Sequence, residues 1–165
     1  ALNEEILKDI DNGLFSQSKQ DLVQKQLDKF NQYYSSISKR LYGESYAIEY
    51  SLVKNKEGKN TYKFAPFATD NFSTGKKQGE IACFDMAYIM FADDEKIPCL
   101  HFIVNDQKEL VHDNQLMHIG TLANDHVDIQ YVVAILRDKL PTELNKEENI
   151  VLKLSQHSKL FKIEE

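Results

Sequence analysis

Apolar side chains recur at Val23, Leu27, Phe30, Tyr34, Ile37 and Leu41, with spacings that alternate four, three, four, three, four. That is the rhythm of a helix with a single apolar seam. Lys25, Gln26, Asp28 and Lys39 fall between them as a solvated face. The pattern predicts helix from residue 3 to about 43, in two pieces broken near Asn12-Gly13. The second piece reads either as a coiled-coil stub or as an amphipathic helix lying on a domain. The period then shortens to two. Tyr46, Ile48, Tyr50 and Leu52 alternate with smaller or polar residues, and Tyr62 and Phe64 do so after the turn cluster at 55–60. These runs predict a hairpin, with Pro66 ending its second strand or holding it at an edge.

Further along, a polar loop at 68–75 precedes a run from 76 to about 93 whose apolar residues Ile81, Phe84, Ala87, Met90 and Phe91 cover most of a helical circumference. Such a helix is expected to pack on several sides. Pro98 leads into Leu100-His101-Phe102-Ile103-Val104, which reads as a buried strand ended by Asn105-Asp106. A helix over 114–124, a second buried strand over 129–136 and a closing hairpin, 150–154 with 160–163, complete the pattern. The expected fold is mixed α/β: a helical or coiled-coil stub over 1–43, then a body over 44–165 with a helix–strand–helix–strand core between two hairpins.

Composition narrows the classes of function. With 165 residues, 42% apolar and 28% charged, the chain is one ordinary globular domain. Nothing in it is apolar for long enough to span a membrane, and the N-terminus has no signal-peptide character, so the expected location is the cytoplasm. The absence of an initiator Met suggests a fragment of a longer protein. A net charge of −6 argues against a dedicated nucleic-acid-binding domain. Cys83 and Cys99 sit in apolar contexts and read as reduced core thiols, although His101 follows Cys99 by two residues. His101, His112, His118 and His126 read as scattered histidines rather than a zinc site.

Two loops carry candidate chemistry. Phe72-Ser73-Thr74-Gly75-Lys76 opens a helix, where free N–H groups and the dipole favour an anion such as a phosphate; Ser73 or Thr74 serves equally as a plain N-cap. Asp106 follows an apolar strand, the position from which nucleotide-binding α/β proteins hold Mg²⁺ through a carboxylate, and is equally a common turn residue. No G-x-x-x-x-G-K-[ST] loop occurs: Val53 stands where Gly58-Lys59 would need the first Gly, and Asp70 where Gly75-Lys76 would. The chain by itself is therefore not expected to be a complete nucleotide-hydrolysing enzyme.

The order of elements, with Ser73-Thr74-Gly75-Lys76-Lys77 and its helix, Phe102-Ile103-Val104-Asn105-Asp106, and the ending Leu160-Phe161-Lys162-Ile163, resembles the C-terminal domain of the YydD-like proteins. These are bacterial coiled-coil ABC-type ATPases related to SMC and RecN proteins. The resemblance spans roughly residues 25–165. It implies the C-terminal lobe of an ATPase head. Ser73 and Gly75, with Lys76, would match the signature motif that touches the γ-phosphate of a nucleotide on an opposing head. Asp106 would match the Walker B aspartate and hold Mg²⁺ through water, and Asp113 would fall at the D-loop. The implied cofactors are ATP and Mg²⁺, bound only with a missing N-terminal lobe of the same parent chain. The implied partner in trans is a second head, with DNA reached through the parent and a role in DNA maintenance or phage defence. Two departures bear on hydrolysis. Gln107 replaces the usual Glu, and an amide orients a water without taking its proton; Glu109 is a displaced substitute. The switch histidine is missing, with Leu136-Arg137-Asp138 in its place. A protein-interaction module without nucleotide is the main alternative. A metal-dependent nuclease built on Asp106-Gln107-Lys108 with Asp85 is another, although Asp85 falls inside a helix.

Overall fold

The computed structural model describes residues 2–68, 76–106, 113–126 and 128–158. Helix α1 (Leu2–Leu14) and helix α2 (Gln17–Tyr42) are separated by a short break at Phe15-Ser16, close to the predicted one. The hairpin follows as β1 (Tyr46–Lys54) and β2 (Asn60–Ala68), then α3 (Lys76–Asp94), β3 (Phe102–Asn105), α4 (Asp113–Asp125) and β4 (Gln130–Val133). β1 and β2 form one antiparallel sheet; β3 and β4 form a separate parallel pair in which Ile103 lies opposite Tyr131. The architecture is mixed α/β.

The apolar seam of α2 determines the core. Leu27, Phe30, Tyr34, Ile37 and Leu41 are buried, and the last four pack with Tyr46 of β1, Ala82, Cys83, Met86 and Ala87 of α3, Ile103 of β3 and Ile119 of α4. From Leu27 onward the seam therefore faces the body of this domain. Aromatic rings fill much of the space: Phe30 stands edge-on to Phe91 at 5.8 Å between ring centres, and Tyr34 tilts against Tyr46 at the same spacing. Ion pairs join the helices at their ends, Lys29 to Asp94 and Glu95, and Arg40 to Asp125; exposed as they are, they contribute little to stability.

Polar side chains dock the hairpin. Asn31 of α2 offers its amide to both backbone groups of Ile48, accepting from the N–H at 2.7 Å and donating to the carbonyl at 2.9 Å. Ile48 is registered opposite Pro66, so at this rung both its backbone groups point away from β2, and the proline's missing N–H costs the ladder nothing. Ser38, fully buried, accepts from the Tyr46 N–H at 2.9 Å. The turn closes through the Asn55 carbonyl, which accepts from the Gly58 N–H, with Gly58 at a left-handed φ of 76°.

Gly79 shows how closely α3 approaches α2. A Cβ on Gly79 would lie 2.2 Å from Cζ of Tyr42. Tyr42 is itself held against Tyr46, ring centres 6.4 Å apart. Gly79→Ala should destabilise the fold by up to about 2 kcal/mol, overpacking outweighing the helix propensity gained. In a Tyr42→Ala background the same change should stabilise, and urea denaturation of the four variants measures the reversal.

Burial also makes the fold sensitive to alkali. Desolvation raises the phenols of Tyr34, Tyr42 and Tyr131 well above their ordinary range and, with the charge of Glu44 adding to it, pushes Tyr46 up to about 12. An unfolded chain ionises its tyrosines near pH ~10 while the folded chain keeps these four protonated, so above that pH the unfolded state binds fewer protons and stability falls. Urea midpoints should be flat up to roughly pH 9.5 and decline beyond it. Tyr46→Phe should make the decline shallower.

Two expectations fail. Residues 150–154 form no strand: the segment ends in an isolated bridge between Ser155 and Ser158, and Val151, Leu152 and Leu154 are exposed. An apolar run that finds no strand partner among the described residues does not hold a strand. Its expected partner at 160–163 lies outside the described residues. The second failure is β3, expected to be buried on both faces. Ile103 and Asn105 face inward, whereas Phe102 is 50% and Val104 66% exposed. Helix α3 does pack on several sides as expected, through Ala82, Cys83, Met86, Ala87, Ile89 and Phe91, and leaves Ile81, Phe84 and Tyr88 as one partly exposed outer stripe. The second strand of the core is also shorter than expected, Gln130–Val133, and only partly buried beyond Gln130.

Candidate functional site

The two strands of the parallel pair end on the same side of the molecule, and the sequence-predicted carboxylate lies there. Asn105, the last residue of β3, is buried, and its carbonyl accepts from the Ala134 N–H at 2.9 Å just past β4. That bond fixes the strand's end, and the next residue, Asp106, stands exposed beyond it. An exposed carboxylate at the C-terminal end of a parallel strand has the donor chemistry for a hydrated Mg²⁺. On β4, burial and the charge of Asp85 both raise the phenol of Tyr131.

The remaining predicted positions are less fully described. Ser73, Gly75, Gln107 and Glu109 lie outside the described residues. Lys76 and Asp113 are the first residues of α3 and α4, so the elements on either side of both loops are established. Of the nuclease pair, Asp85 lies mid-helix in α3, as its sequence position implied. His118 is exposed on α4, His126 is half-buried just after it, and His112 lies outside the described residues. Among the described residues, His101 meets a carboxylate, Asp93, with Nε2 2.7 Å from Oδ1.

Sequence reasoning missed a surface. The outward side chains of β3 adjoin the exposed stripe of α3, and Phe84, Asp85, Tyr88, Leu100, Phe102 and Val104 line a shallow groove between them. Leu100 is 73% exposed. Among the described residues β3 pairs with β4 alone, so one backbone edge of β3 has no strand beside it. A parallel pair with an apolar outer face and an open edge is unusual, because parallel sheets are normally covered on both faces. The clue available in the sequence was that Leu100, Phe102 and Val104 share one side of a strand while Ile103 and Asn105 share the other.

A family described as an uncharacterised protein conserved in bacteria (DUF2326) matches residues 37–165. No curated protein matches the sequence. Among solved structures, the chain is similar to an Smc head bound to the C-winged helix domain of ScpA, with 16% identity and a TM-score of 0.44 over 76% of this chain. It is also similar to the Smc head domain with an extended coiled coil bound to the C-terminal domain of ScpA, derived from Pyrococcus furiosus, with 17% identity and a TM-score of 0.45 over 83% of this chain. The chain spans 40% and 35% of the length of those two heads.

Proposed function

The chain belongs to the DUF2326 family of bacterial proteins, and we propose that it is the C-terminal lobe of an SMC-like ATPase head, completed by an N-terminal lobe that carries the phosphate-binding loop. The observation that carries this reading is β3: a parallel edge that is open among the described residues, and an apolar face, immediately before Asp106. A lobe whose sheet is finished by strands from elsewhere in its parent protein leaves such an edge and face. Covering them would bring the phosphate loop beside the carboxylate that holds Mg²⁺. In this reading Ser73, Gly75 and Lys76 reach the nucleotide of a second head in trans, and Asp113 lies at the junction between heads. Gln107 can orient a water but not deprotonate it, so turnover is slow unless Glu109 serves as base, and head pairing is the main output. Transmission of that pairing to DNA or a protein partner, in DNA maintenance or phage defence, follows from the YydD-like resemblance.

The test separates folding from assembly. Phe102→Asp combined with Val104→Asp changes exposed positions, so the chain alone should keep its stability to within about 0.5 kcal/mol. When the chain is co-expressed with the segment encoded upstream, the parent sequence should co-purify with it and the double variant should not. An upstream frame without a G-x-x-x-x-G-K-[ST] loop, or equal assembly by the variant, would overturn the proposal in favour of an interaction module without nucleotide.

A further inference from the structure

We propose that Asp93, Cys99 and His101 form a zinc site at the end of β3 opposite Asp106. One atom from each, a carboxylate oxygen, the thiol sulfur and an imidazole nitrogen, lies within 4.8 Å of the others. The helix ending builds this cluster. α3 stops in a pair of reversed hydrogen bonds: the Ile97 N–H donates to the Ala92 carbonyl at 2.7 Å and the Lys96 N–H to that of Asp93 at 3.1 Å, with Lys96 left-handed at φ 58°. The reversal carries the chain back over the last turn of α3. Cys99 and His101, two residues apart in the segment leading into β3, then fall on the same side as Asp93.

The chemistry of the three groups selects the metal. A thiolate, an imidazole and a carboxylate together suit zinc, whereas calcium and magnesium take oxygen ligands. Around a tetrahedral zinc such atoms stand about 3.3–3.6 Å apart. The His101 nitrogen and Asp93 oxygen, now 2.7 Å apart, would separate by about half an ångström as the metal replaces the shared proton. Cys99 would close by up to about 1 Å and lose its thiol proton to solvent. The surroundings favour a cation. Asp93 lies at the negative end of the α3 dipole, and the nearby Lys29 is already paired with Asp94 and Glu95. The side chains of His101 and Asp93 remain 40% and 53% exposed, so the site opens to solvent and leaves a fourth position for water. It does not depend on the nucleotide reading.

Titrating chelator-treated protein with zinc should show one equivalent bound and a raised melting temperature. Cobalt(II) in its place should give a thiolate-to-metal absorption band. Cys99→Ala should abolish the band, and Cys99→Ala and His101→Ala should each weaken binding at least about tenfold without lowering the metal-free melting temperature. If either variant fails to fold, alkylation of the parent chain decides instead. Cys83 is buried and Cys99 partly exposed, so zinc should slow modification of Cys99. Absence of the cobalt band, undiminished binding by both variants, or alkylation indifferent to zinc would overturn the site and leave Asp93 and His101 as a hydrogen-bonded surface pair.

Discussion

Tyr34→Ala should lower the free energy of unfolding by about 3–5 kcal/mol, a large share of the ~5–15 kcal/mol available to a domain of this kind. Tyr34 is fully buried. Its ring meets Phe30, Tyr46 and Phe84 within 6.0 Å, centre to centre, so truncation leaves a cavity where α2, α3 and β1 converge. The hydroxyl tells the opposite story. Among the described residues it has no hydrogen-bond partner, and a buried hydroxyl without one is a cost. Tyr34→Phe should therefore leave stability unchanged or raise it by up to about 1 kcal/mol. Urea denaturation of both variants separates ring from hydroxyl. A Phe variant weakened by more than that would show that the phenol is bonded, and an Ala variant weakened by less than about 2 kcal/mol would show that the site collapses around the cavity.

The second large effect is functional. In the assembled head, Asp106→Ala should weaken Mg²⁺-dependent nucleotide binding by about 10–100-fold, the range for losing a group that acts on a metal through water. Ser73→Arg should leave that binding intact and block pairing of two heads, because it obstructs the surface that would meet the opposing nucleotide. Equilibrium binding of a labelled nucleotide with and without Mg²⁺, alongside sedimentation of the nucleotide-bound protein, reads both. The split between the variants is the informative result: binding lost in one, pairing lost in the other. If both behave like the parent, the two loops do not form a composite site.

Much of the fold was legible because single rows of side chains dictated it. The four-three spacing from Leu27 to Leu41 identified the buried face of α2, and alternation through Tyr46, Ile48 and Tyr50 gave β1 and its register-bearing face. What covers a face was not legible. Leu100-His101-Phe102-Ile103-Val104 carries the composition of a doubly buried strand, yet here only its Ile103 side is covered. The expected strand at 150–154 failed likewise: its apolar Val151, Leu152 and Leu154 are exposed. The place of Asp106 just after a strand could be read from the sequence because it is a local property. The meeting of Asp93 with Cys99 and His101 could not, because it depends on a helix that ends at a left-handed lysine, where a glycine would have marked the reversal.

Asn31 and Pro66 have a consequence for how this protein meets other chains. At the rung they share, each flank of the hairpin is closed to an incoming strand: on β1 the amide already occupies both backbone groups of Ile48, and on β2 the proline presents no donor. Hairpins without such blocks recruit one another edge to edge and aggregate. Among the described residues, the blocks leave the open edges of the β3–β4 pair as the favoured place for a new strand to dock. At high concentration without a partner lobe, the protein should therefore self-associate through the β3–β4 pair rather than through its hairpin.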